Sequence, residues 1–178
     1  MTDSLFVGLD VDGVVADMEG YLAKSIPNFE NFSTDEEMRE AVDKILAKPE
    51  TWTNLNPLPL AKHAIQRLSA AKVKFCFISS THDDAGLLRS WWLDRHFGKY
   101  FPEADSYASD YWLRHLNTPL YLAKAAEKPV VAKTLGVTHF ADDRADIVLG
   151  MLRRGIQAMV ITQEYTVNSF VLEVLRGV

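Results

Sequence analysis

The sequence predicts an α/β protein: a doubly wound, five-stranded parallel sheet with helices on both faces. Two observations carry this. Apolar runs of strand length recur along the chain, and segments of helical period separate most of them. The strongest runs end in polar clusters, Asp10-Val11-Asp12 after the first and Asp142-Asp143 after the fourth. The C-terminal edge of a parallel sheet is where ligands bind.

Residues 5–9 are apolar up to Asp10 and form the first predicted strand, buried on both faces. Residues 73–78 are β-branched and aromatic and run into Ser79-Ser80-Thr81, giving the second. A shorter run over 119–123 gives the third, 137–141 the fourth and 158–162 the fifth. Helical patterns occupy 60–71, 84–96, 129–135 and 147–154.

Residues 17–58 break the alternation. They carry a predicted helix over 34–47, with Ser33 or Thr34 as cap and Glu36 or Glu37 early in the helix. They also hold the aromatics Tyr21, Phe29, Phe32 and Trp52. An insertion after the first strand stands over the ligand edge of the sheet and is placed to form a cap; the plainer reading is a helical decoration with its own small core. The expected division is a core of residues 1–16 and 59–178 and a helical cap of residues 17–58.

Composition narrows the function classes. Nineteen basic against 24 acidic residues leave a net charge of −5, with no basic run to engage duplex nucleic acid or an anionic membrane. Cys76 is the one cysteine, so an internal disulfide is excluded and a zinc cluster disfavoured. The first residues lack the pattern of a signal peptide, and no apolar run reaches about 18 residues. A cytoplasmic protein is the expectation.

Four polar clusters carry candidate chemistry. Asp10 and Asp12 lie two positions apart at a strand end and can face the same side, with Gly13 permitting a sharp exit; the plain alternative is a polar turn. Ser79 and Ser80 offer hydroxyls and backbone N–H groups to an anionic oxygen, although such residues also cap helices. Lys128 precedes Pro129 at the head of a helix, where a lysine is ordinarily solvated. Asp142, Asp143 and Asp146 crowd carboxylates that repel unless a cation sits among them, while helix capping by Asp143 or Asp146 is the alternative.

Taken together, Asp-x-Asp, Ser/Thr, Lys and Asp-Asp-x-x-Asp resemble, in kind and order, the four motifs of the haloacid dehalogenase (HAD) superfamily. The first motif, DVDGVVADMEGYL (residues 10–22), looks most like the 5'(3')-deoxyribonucleotidase group. WTNLNPLPLAKHAIQRL (52–68), the spacing to FISS, and FADDRADIV (140–148) extend the likeness over nearly the whole chain. That group has Thr then Ser where Ser79 and Ser80 stand here. A slightly long stretch from Lys128 to Asp142 makes Lys133 a competitor for the third motif, and residues 98–118 read as an insertion or divergent connection.

The resemblance implies a Rossmann-like HAD core with a small helical cap and a Mg²⁺-dependent phosphomonoester hydrolase. It assigns Asp10 as nucleophile, Asp12 as acid and base, and Ser79, Ser80 and Lys128 to the phosphate. The metal falls to the Asp10 and Asp142 carboxylates and the Asp12 backbone carbonyl, with Asp143 and Asp146 as further ligands, direct or through water. The implied substrate is a small phosphomonoester, a nucleoside monophosphate first of all. Phe29 and Trp52 are the expected pocket aromatics, since an aromatic face stacks on any base. A sugar phosphate or other small metabolite is the rival substrate. A catalytically silent binding module on the same fold is the rival class; intact Asp10, Asp12, Lys128 and Asp142 argue against it. A homodimer is compatible with all of this.

His63, His82, His96, His115 and His139 show no metal-ligand spacing. His139 falls in a predicted strand with local hydrogen bonds expected, His82 follows the second motif, and one of Trp91 and Trp92 is expected to pack on the sheet.

Overall fold

The computed structural model describes residues 5–29, 31–80, 85–101 and 118–177. Thr81, His82 and His115, and most of the divergent stretch, lie outside them.

Five parallel strands, β1 (Phe6–Leu9), β2 (Lys74–Ser79), β3 (Leu120–Leu122), β4 (His139–Asp142) and β5 (Gln157–Val160), form one sheet in the order β3-β2-β1-β4-β5. The most apolar run therefore takes the centre, where both faces are covered. Alternation along the strands divides the core in two. Val7, Leu9, Phe75, Phe77 and Ala141 join one cluster, and Phe6, Cys76, Ile78 and Phe140 the other. Gly8 is glycine for a packing reason: a Cβ there would come within 2.5 Å of the Phe140 ring.

Eight helices complete the molecule among the described residues: α1 (Met18–Ser25), α2 (Asp35–Leu46), α3 (Pro49–Asn54), α4 (Ala61–Ala70), α5 (Gly86–Phe97), α6 (Lys128–Leu135), α7 (Ala145–Leu152) and α8 (Val167–Arg176). The first core cluster lies under α4, α5 and α8, and the second under α6 and α7. On α5, Trp92 is fully buried while Trp91 is exposed. The α8 helix was not among the sequence expectations. Its Val167, Phe170, Val171 and Val174 nonetheless fall on one helical face, and all four are buried. The fifth strand starts one residue earlier than expected, because the ladder opens directly after the turn at Gly155 and Ile156. Beyond Val160, Ile161 still donates its N–H to the Asp142 carbonyl.

Helices α1 to α3 fill the expected insertion. The chain leaves and returns side by side: Ala16 bridges Pro57 antiparallel, Asp17 N–H donates to Asn56 O, and Leu58 N–H to Val15 O. No residue of α2 is fully buried, although Ala41, Val42, Ile45 and Leu46 are half-buried, and both of its ends are tied down: Thr51 Oγ1 and Trp52 Nε1 donate to the Ile45 and Leu46 carbonyls. Thr34 Oγ1 accepts from Glu37 N–H at 3.2 Å and Glu37 Oε2 from Ser33 N–H at 3.2 Å, a reciprocal cap. Among the described residues, no helix is long and apolar enough to cross a membrane.

Candidate active site

Register brings three polar strand ends together. Leu9 pairs with Phe77 on one side and Ala141 on the other, so Asp10, Ser79 and Asp142 emerge at one edge of the sheet. Asp10 N–H donates to Ala141 O at 2.9 Å, continuing the β1–β4 ladder to the carboxylate itself. A tight loop follows, with Val15 and Ala16 N–H both donating to Val11 O. Gly13 turns it at φ +71°; a Cβ there would collide with the Asp143 carboxylate.

Lys128 is buried at the head of α6, and its ammonium bridges Asp10 Oδ2 at 2.7 Å and Asp142 Oδ2 at 3.0 Å. Lys133, one turn and more along the same helix, is exposed. The remaining oxygens are also held: Asp10 Oδ1 accepts from Val11 N–H at 2.7 Å, and Asp142 Oδ1 from Arg144 N–H at 3.0 Å. The hydroxyls of Ser79 and Ser80 are buried and have no hydrogen-bond partner among the described residues. An unsatisfied buried hydroxyl costs roughly 1–3 kcal/mol, which an arriving oxyanion would recover.

Asp10, Asp142 and Asp143 offer carboxylate oxygens that all lie within 4.8 Å of one another. One lysine cannot neutralise three such charges. Burial, opposed by Lys128 and reinforced by Asp142, pushes the Asp10 carboxyl up to about 7. Lost solvent and the neighbouring Asp142 raise Asp143 to about 6. For Lys128, burial works against its charge, but Asp10 and Asp142 outweigh it and its pKa is raised. Hard oxygen donors carrying excess negative charge fit a divalent cation such as Mg²⁺. Asp146 stands apart from this cluster: its exposed carboxylate pairs with Arg144 at 2.7 Å. Both of its oxygens accept from the Arg144 guanidinium, at 3.1 and 2.7 Å.

Asp12 opens onto a cavity of about 700 Å³ walled by Gly13 and Asp143 below, Leu22 and Phe29 from the insertion, and Ile161 and Gln163 from beyond β5. Phe29 thus lies where a pocket aromatic was expected. Trp52 does not: its indole N–H donates to Leu46 O at 2.9 Å, and it borders a different cavity, with Asp43, Pro49 and Leu88. Its ring is also occupied, carrying the Arg89 guanidinium at 4.5 Å. Tyr21 packs against the core and Phe32 is half-buried, neither of them on the Asp12 cavity.

Sequence reasoning missed Arg89. It is fully buried, and its Nη2 donates to both carboxylate oxygens of Asp12, at 2.7 and 2.8 Å. Burial raises the Asp12 carboxyl against the pull of Arg89. A signal existed: Arg89 shares a helical face with Trp92 and Leu93, at i+3 and i+4, both core residues. A cation on an apolar face needs a buried anion.

No protein-family model matches the chain, and no curated protein matches it. Solved structures do. A haloacid dehalogenase-like family hydrolase from Streptococcus pneumoniae superposes with a TM-score of 0.57 at 14% identity, covering 98% of this chain and 92% of the other. A HAD-superfamily hydrolase from Ehrlichia chaffeensis gives 0.60 at 10% identity, covering 98% and 99%. A HAD family hydrolase from Deinococcus radiodurans, with bound phosphate and sodium, gives 0.55 at 14%, covering 99% and 89%. With five parallel strands, flanking helices and an acidic cluster at the strand ends, this chain has the fold of the haloacid dehalogenase-like hydrolases.

Proposed function

We propose that the protein is a HAD-superfamily, Mg²⁺-dependent phosphomonoester hydrolase whose substrate is a nucleoside monophosphate. One observation carries the reading: a buried lysine bridges two aspartates that gather with Asp143 at the edge of the sheet where β2 also ends, in Ser79 and Ser80, whose hydroxyls have no partner among the described residues. Such a site takes an anion and a cation together.

Asp10 attacks phosphorus, forming an aspartyl-phosphate as the ester P–O bond breaks. The departing oxygen takes a proton from Asp12. Water then attacks the phosphoryl group and gives its proton back to Asp12, and Asp10 is released as the carboxylate. Lys128 and the Ser79 and Ser80 groups hold the phosphoryl oxygens through both displacements. A divalent cation held by Asp10, Asp142 and Asp143, with the Asp12 carbonyl, would neutralise charge on the substrate's phosphate. Residues 17–58 act as the cap that excludes water during the first step.

The nucleotide assignment rests on Phe29, an aromatic that lines the cavity Asp12 opens into. Base–aromatic stacking contributes roughly 1–3 kcal/mol. Phosphate release from a panel of nucleoside monophosphates, sugar phosphates and phosphoserine tests it. Nucleotides should have the highest kcat/KM, and Phe29→Ala should lower theirs about tenfold while leaving sugar phosphates unchanged. Equal efficiency across the panel would leave the hydrolase reading and remove the nucleotide one.

A further inference from the structure

We propose that Arg89 is a positioning residue for Asp12, fixing the plane of the carboxyl group that passes a proton to the departing oxygen; this rests on the phosphatase reading above. Asp12 follows β1 on a tight loop, and its side chain is 25% exposed at the cavity. Left alone, a carboxyl at such a place turns about both its side-chain torsions. Arg89 Nη2 removes that freedom by holding both oxygens, at 2.7 and 2.8 Å.

The clamp is itself clamped. Arg89 has no exposed surface, its guanidinium lies over the Trp52 ring, and its helix is anchored by Trp92, whose indole N–H donates to Leu55 O at 2.8 Å. Trp52 and Leu55 both belong to the insertion, so α5 and the insertion fix the guanidinium together. Arg89 Nε and Nη1 are buried without a partner among the described residues.

One clamp serves both half-reactions. A carboxyl bearing a proton keeps an acceptor for Nη2 and presents its O–H from the other oxygen. When that proton leaves with the ester oxygen, both oxygens accept from Nη2. When water attacks, one oxygen takes the proton back. Arg89 gains and loses nothing in the cycle.

Leaving-group dependence tests this. A nucleoside leaves as an alkoxide and needs the proton, whereas 4-nitrophenolate leaves without one. Arg89→Gln and Arg89→Lys should lower kcat/KM, which reads the step up to departure of the leaving group and not the hydrolysis of the shared aspartyl-phosphate, on a nucleoside monophosphate at least tenfold more than on 4-nitrophenyl phosphate, as Asp12→Asn should. If Arg89→Gln does not fold, Arg89→Lys carries the comparison, since it keeps a buried cation beside Asp12 without the two-oxygen grip. An equal loss on both substrates, or none, overturns the positioning role and leaves the phosphatase reading standing. Should Asp12→Asn itself fail to discriminate between the substrates, or the wild type hydrolyse neither, the phosphatase mechanism falls and the role of Arg89 with it.

Discussion

Lys128 shows how a residue of unremarkable sequence context becomes central through burial. Its stem is enclosed, and its ammonium meets Asp10 and Asp142 within 3.0 Å. Removing it would leave two buried carboxylates facing each other and strip a cation from the phosphate. Lys128→Ala should therefore reduce phosphatase kcat by a factor on the order of 10² or more, while Lys133→Ala, at an exposed position, should change it less than twofold. The reverse ranking would reassign the third motif. Asp10 and Asp142 were legible in the sequence because each closes an apolar run, and Asp12 because it lies two positions beyond Asp10 and can face the same side. Arg89 was not, since its meaning depends on a contact across 77 positions that only the folded sheet creates. Trp52 misled for the same reason: an aromatic's composition says nothing of whether a carbonyl and a guanidinium already claim its two ends.

Helices differ in what holds them. The α8 helix is fixed by four buried residues, and α4 likewise buries Ala61, Ala64, Ile65 and Leu68. The α2 helix has only a half-buried stripe, Ala41, Val42, Ile45 and Leu46, so the Thr34–Glu37 box and the early acids Asp35 to Glu37 add materially to its stability. Thr34→Ala should cost about 1 kcal/mol locally. Hydrogen exchange would read this as faster exchange across residues 35–46, with β1, β2 and β4 unchanged; uniform acceleration throughout the protein would mean that α2 unfolds only with the core. The box was legible as a short motif with a local mechanism. The α8 stripe was equally regular, but it follows the last strand, where no further strand demands a crossover helix.

At the scale of the whole molecule, topology concentrates charge. Three carboxylates meet because β1 and β4 are neighbours in the sheet and set Asp10 beside Asp142 and Asp143. Asp10 is raised to about 7 and Asp143 to about 6. Both shifts are upward, so the folded protein binds protons more tightly than the unfolded chain. These groups therefore favour the fold at low pH, and that contribution is lost as pH rises towards 7. A cation binds the deprotonated set and must displace those protons at low pH. Mg²⁺ should thus raise Tm more at about pH 8 than at about pH 5. An equal increment at both would place the ion elsewhere. In the proposed reaction Asp10 is the group that takes the phosphoryl group. The most direct test of this role is phosphate release from a nucleoside monophosphate by wild-type and Asp10→Asn protein of matched Tm, each with Mg²⁺ and with EDTA. Release is expected only from the wild type with Mg²⁺, with less than a few per cent of it from Asp10→Asn, a loss of about 2 kcal/mol or more in transition-state stabilisation. Substantial release by Asp10→Asn, or undiminished release by the wild type in EDTA, would contradict it.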